Sequence, residues 1–257
     1  MERFDRRDVR FIAACLFVIV AGAAITGALF QRAFPEAAIE FKVDRDGARR
    51  LGESSLAERG RGVKGARFAA KFMVEDEPKV YLERELGLER ASRLYGRDAK
   101  IWLWQMRWFR SGQQEEERVA VSPLGDLVGF RTVLREDAPG ARLNEAEARK
   151  IALAYLASRG VGAASLQAIA ATPVARPNRT DWNFVDEKAG VRFADATIRY
   201  ETTVSGDRLT RYRETVYVPE SWVRDYDRLR AKNTAAGQVA SAALLVTILA
   251  MLAVLVA

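Results

Sequence analysis

Two stretches free of charged residues, Phe11 to Phe30 and Thr234 to Ala257, limit what this chain can become. Rising 1.5 Å per residue, a helix over the first covers about 30 Å, the depth of a bilayer's hydrocarbon core. The second is longer, rich in Leu, Val and Ala, and spans with some tilt. The expectation is a multi-pass protein of the bacterial inner membrane, with one large domain between two transmembrane helices. Arg3, Arg6, Arg7 and Arg10 precede the first segment. A secretory signal also opens on basic residues, but its apolar core is shorter and ends in a small-x-small cleavage site. Here the run passes directly into Gln31 and Arg32, so an uncleaved anchor is expected. The basic N-terminus favours a cytoplasmic start and an extracytoplasmic central domain. Arg224, Arg228, Arg230 and Lys232 pull the other way, but the first helix usually dominates and long domains translocate regardless of charge. No polar flank follows Ala257, which leads us to expect a membrane core beyond it.

The net charge of +7 is spread along the chain rather than gathered in a tail. Such a distribution reads as an arginine-rich solvated surface and not as a nucleic-acid footprint. The expected partners are the lipid bilayer and a protein or peptide. With one cysteine, Cys15, and no histidine, the chain can build neither a serine or cysteine triad nor a zinc site of imidazole or thiolate ligands. No catalytic, cofactor-binding or metal residue is assigned, and no cofactor is expected.

The middle of the chain repeats. A displacement of 100 residues aligns Ala48-Arg49 with Ala148-Arg149, Leu51 with Ile151, Leu56-Ala57 with Leu156-Ala157, and Arg59-Gly60 with Arg159-Gly160. Each copy reads as one amphipathic helix. Asp44 caps the first and Asn144 the second, with Glu147 closing a capping box, and Gly60 and Gly160 end them. Strands are expected at Ile101 to Arg110, Glu117 to Val121, Leu127 to Leu134, Asp181 to Val185, Arg192 to Val204 and Arg208 to Val218. Pro123-Leu124-Gly125-Asp126 and Ser205-Gly206-Asp207 supply hairpin turns. A further helix is expected over Pro78 to Tyr95. The fold class is α+β: a helix and then antiparallel strands, twice over, between two transmembrane helices. The boundaries are a cytoplasmic N-terminus 1–10, a span 11–30, halves 31–140 and 141–219, a juxtamembrane helix 220–233 and a span 234–257. Pro219 opens the juxtamembrane helix, which is expected to run unbroken into the second span.

Several motifs have plain structural readings. Glu115-Glu116-Glu117 cannot line one pocket, since side chains alternate along a strand, and a solvated edge or hairpin end is expected. Asp44-Arg45-Asp46-Gly47 lacks the glycine and glutamate of a calcium loop, with Arg49 and Ser55 at those places. Asn178-Arg179-Thr180 has the form of a sequon, and Arg179 and Asp181 are expected to pair on a turn. Trp102, Trp104 and Trp108 share one strand face and are expected to pack under a helix, with Arg107 pointing the other way.

The Ala-Arg-x-x-Ala helix with its glycine stop resembles PepSY-type domains. The longer series comprises the first anchor, Trp104 to Arg110, Glu116 to Val121, Gly125 to Phe130, Leu143 to Gly160, Asn178 to Phe184 and Val218 to Trp222. It resembles the N-terminal extracytoplasmic region of bacterial CAAX-protease-like (CPBP) intramembrane metalloproteases. That resemblance implies a non-catalytic domain that senses or presents a substrate for a membrane core lying beyond residue 257. It carries over no catalytic residue. The family's Glu-Glu-x-x-x-Arg motif finds Ala120 or Val121 at the arginine place, and the chain has no histidine. The rival expectations are a stand-alone anchored binding or inhibitory module, and the ectodomain of a two-span signalling receptor.

Overall fold

The computed structural model describes residues 6–34, 39–95 and 97–256, so Arg3 and Ala257 lie outside it. The expected caps fix the two central helices. Ahead of α2 (Arg45–Glu58), Asp44 accepts the Gly47 N–H at 2.7 Å. Ahead of α5 (Glu145–Ser158), Asn144 accepts the Glu147 N–H, and Glu147 in turn accepts the Asn144 N–H, both at 3.0 Å. The helices also end alike. Gly60 and Gly160 take φ of +68° and +79°. The next amides, of Arg61 and Val161, each donate at 2.9 Å to the carbonyls of Leu56 and Leu156. These bonds satisfy carbonyls that a helix end otherwise leaves open.

Each of these helices leads into four strands. The first set is β1 (Arg67–Val74), β2 (Trp102–Phe109), β3 (Glu116–Val121) and β4 (Leu127–Val133), with α3 (Asp76–Leu86) and α4 (Leu88–Leu94) between β1 and β2. The second is β5 (Leu166–Arg176), β6 (Arg179–Phe193), β7 (Ala196–Ser205) and β8 (Arg208–Tyr217), preceded by a short 3₁₀ turn at Ala163–Ser165. All eight form one antiparallel sheet in the order β1-β2-β3-β4-β8-β7-β6-β5. The last strands of the two sets therefore join, pairing Gly129 with Arg213, Phe130 with Tyr212, and Arg131 with Arg211. Gly129 suits this seam, since a Cβ there would lie 2.9 Å from the Tyr212 carbonyl oxygen.

α2 and α5 pack on one face of the sheet. α2 buries Ala48, Gly52 and Leu56, and α5 buries Ala148, Ala152 and Leu156. Each is also tied to the sheet by a tryptophan. Trp104 of β2 donates its indole N–H to the Val43 carbonyl, and Trp182 of β6 donates to the Leu143 carbonyl, both at 3.0 Å. The two carbonyls stand 100 residues apart, just before the two caps. At the seam, Tyr155 of α5 meets Phe130 edge-on at 5.6 Å and Tyr212 at 5.1 Å. The Arg59 guanidinium lies over the Phe130 ring at 3.7 Å.

Outside this sheet lie two long helices, α1 (Arg6–Ala33), free of charge from Phe11 to Phe30, and α6 (Glu220–Val256), charged over its first turns and free of charge from Thr234. Tyr217 to Ala257 forms a unit of its own. The helix runs unbroken through Gly237, as expected. Along α1, Phe11, Phe17, Val18, Ile19 and Val20 are 65–74 % exposed, so none of the described residues covers them.

The expectations need correction at four strands and one helix. β1 and β5 were not anticipated, because their alanine-rich sequences carry little β signal. β6 is far longer than Asp181 to Val185, since its polar half still pairs with β7. The expected strand from Arg192 is cut by a tight turn in which Ala194 takes φ of +54°. The helix over Pro78 to Tyr95 is two helices, broken where Gly87 takes φ of +79°.

The Gly52–Trp108 contact gives a test of this packing. A Cβ on Gly52 would lie 2.6 Å from the Trp108 ring, whereas α5 has Ala152 at the matching place. Gly52→Ala is expected to destabilise by about 1–3 kcal/mol despite its better helix propensity. Ala152→Gly is expected to cost about 1 kcal/mol. Urea unfolding of the detergent-solubilised chain, followed by tryptophan fluorescence, measures both.

Candidate functional site

The register of the sheet puts arginines side by side on the face turned away from α2 and α5. Met106 and Trp108 lie under Gly52, so the residue between them, Arg107, projects from the opposite face. Arg107 pairs with Arg118, Arg118 with Arg131, and Arg131 with Arg211. Directly opposed residues share a face, so β2, β3, β4 and β8 each contribute one guanidinium to a single row. The adjacent row runs Lys71, Gln105, Ala120, Gly129 and Arg213. The two small residues at its centre leave a bare floor between cationic walls. Together they line a groove of about 580 Å³ bordered by six cations and one carboxylate, that of Glu75.

Like charges at cross-strand neighbours repel, so the row needs counter-ions. Glu116, only 8 % exposed, accepts from both Arg107 and Arg118. Glu201 pairs with Arg211 and Glu75 with Arg213. Among the described residues, no carboxylate forms an ion pair with Arg131 or Lys71, and Arg131 feels Glu116 only as a through-space attraction. Desolvation first, and then the Arg211 and Arg118 charges, pull the Arg131 pKa below its ordinary value.

This corrects the expectation of a solvated acidic edge. Glu116 and Glu117 do point to opposite faces, as alternation requires, but both are largely buried. Glu117 faces α2, accepts the Thr132 hydroxyl hydrogen at 2.6 Å and lies 3.7 Å from Arg61. The Arg179–Asp181 pair forms as expected, at 2.8 Å. Arg179 also donates to the carbonyls of Arg135, Glu136 and Ala138, pinning the connection between the two strand sets. Asn178 donates to the Asp137 carbonyl at 2.7 Å. The tryptophans of β2 pack on the helix side, as expected. Among the described residues no group of acids, cysteine or histidine has metal-site geometry.

The arginine row was missed by sequence reasoning. The alternation along β2 exposes Arg107, and the Pro123–Asp126 turn brings β3 against β4, but nothing local signals that β4 meets β8. No protein-family model, curated protein or solved structure matches the chain.

Burial of Glu117 gives a pH signature. Desolvation raises its pKa above 4.5, against the opposing pull of Thr132, Arg61 and Arg59. A carboxyl whose folded-state pKa is raised favours folding at low pH, and that contribution is lost as pH rises through the raised value. Glu117→Gln is therefore expected to raise the unfolding midpoint at neutral pH, with the gain closing as pH falls below about 4.5. Thermal unfolding across pH measures the difference, and an unchanged gain at acid pH would contradict the assignment.

Proposed function

We propose that this chain is a non-catalytic, membrane-anchored module whose extracytoplasmic sheet binds a protein or peptide through the arginine-lined groove. The observation that carries the reading is the groove itself, with cations in register across four strands and more positive charge than the described carboxylates pair with. The exposed apolar surface of α1 supports the anchoring, because contiguous apolar area of this kind is stable only against lipid or another apolar surface. α1 is long and apolar enough to cross a membrane, a property shared by anchors and signal sequences. We read it as an uncleaved anchor and the apolar part of α6 as a second span, on which Val239, Leu244, Leu245 and Val246 are exposed. The two helix-plus-four-strand sets are read as products of a duplication, supported by matching caps and terminations 100 residues apart and by tryptophan bonds to carbonyls at the same spacing. A sensing or substrate-presenting role for a CPBP-type protease core accords with this layout and rests on the sequence resemblance alone.

Topology tests the anchoring and orientation together. In a Cys15→Ser background, Ser111→Cys places one thiol in the exposed turn after β2. A membrane-impermeant maleimide is expected to label it in intact bacterial cells, with the chain retained in carbonate-washed membranes. Labelling only after lysis would contradict the orientation. Release into the soluble fraction would contradict the anchor.

A further inference from the structure

We infer that the groove takes an extended acidic segment of a protein partner, with a carboxylate of that segment seated on Arg131. The inference rests on the binding role proposed above and specifies its ligand. Three observations carry it.

The first is the counter-ion pattern. Of the row's guanidiniums, Arg107 and Arg118 share Glu116, and Arg211 holds Glu201. Each match is a carboxylate, so this surface already shows which anion its guanidiniums hold. Arg131, between Arg118 and Arg211, is the row's remaining cation, and among the described residues no carboxylate forms an ion pair with it; Glu116, already held by Arg107 and Arg118, attracts it only through space. The second is the floor. Ala120 and Gly129 project almost nothing into the groove beside Arg131, and Lys71 at the far end of that row is also unmatched among the described residues. A partner's backbone can lie on these small residues while its acidic side chains reach the wall.

The third is length. Strands are spaced about 4.8 Å apart, so the four arginines span about 14 Å. An extended chain advances about 3.4 Å per residue, and acidic residues at alternate positions put three carboxylates over about the same 14 Å. A single phosphate-sized anion can touch only part of such a row. Among the described residues no aromatic side chain projects into the groove to stack bases, since Phe130 and Tyr212 project to the helix side.

The experiment uses the full chain in detergent micelles, with a fluorescein-labelled decapeptide of alternating Glu and Ser read by anisotropy. The Glu-Ser peptide is expected to bind, and its affinity to fall steeply as salt rises. Arg131→Ala is expected to weaken binding about 10- to 100-fold, the range of a lost charge-assisted pair. Arg131→Lys is expected to be intermediate, because a lysine keeps the charge and loses the bidentate fork. Arg208→Ala, at the exposed hairpin turn, is expected to leave binding unchanged. A Lys-Ser decapeptide is expected not to bind. Circular dichroism checks that each variant folds. If Arg131→Ala does not fold, Lys71→Ala takes its place, with a smaller loss in the same direction.

The inference is overturned by an Arg208→Ala loss as large as that of Arg131→Ala, or by no loss in either groove variant. It is equally overturned if inorganic phosphate displaces the peptide at equal concentration, which makes this a small-anion site. Phosphatidylglycerol vesicles engaging Arg131 in place of the peptide would overturn it as well. The topology labelling separates the two levels: a domain labelled from outside that ignores the peptide sinks this inference alone, while a domain facing the cytoplasm sinks the function proposed above.

Discussion

The seam between β4 and β8 holds the rest of the structure in place. Three residue pairs make it, and each depends on the others. Gly129 admits the close approach of the Tyr212 carbonyl. Phe130 and Tyr212 carry the aromatic packing beneath, where Tyr155 of α5 and Arg59 at the end of α2 meet. Arg131 and Arg211 stand on the other side. Without the seam, each half would be a four-stranded sheet under one helix, with an open edge at its last strand. With it, the free edges are β1 and β5, and Pro173 interrupts the donors of the latter.

The same seam explains why the basic face exists. Within the first half Arg107 and Arg118 share Glu116, and within the second Arg211 holds Glu201. Joining the halves sets Arg131 against Arg211 and extends the row to four strands. Tyr212 feels the burial on the other side, where desolvation pushes its hydroxyl pKa well above the ordinary tyrosine range, and Tyr200 is pushed up to about 12. A tightly packed, aromatic face and a charge-crowded face thus sit back to back across one layer of sheet. Such crowding opposes folding, and natural proteins retain unfavourable arrangements of this kind most often at functional sites.

Much of the fold was legible in the sequence because it is written in local chemistry. Caps at Asp44 and Asn144, stops at Gly60 and Gly160, and turns at Gly125 and Gly206 each need a particular side chain or a positive φ within a few residues. β1 and β5 were not legible, since Ala69, Ala70, Ala170 and Ala171 take strand conformation only through their neighbours. The burial of Glu116 was hidden for a related reason. Its partners Arg107 and Arg118 are fixed by pairing, and local spacing alone reads as a solvated run. The candidate site was the least legible part, because it is made by contact between strands some eighty residues apart. Arg131 and Arg211 carry no motif.

Amide hydrogen exchange across the seam tests the central claim that the two halves form one cooperative sheet. The account predicts that Phe130 and Tyr212 are among the slowest-exchanging amides, and that β2 and β6 share one opening free energy. Two separate opening free energies for the halves, with rapid exchange at Phe130 and Tyr212, would contradict it.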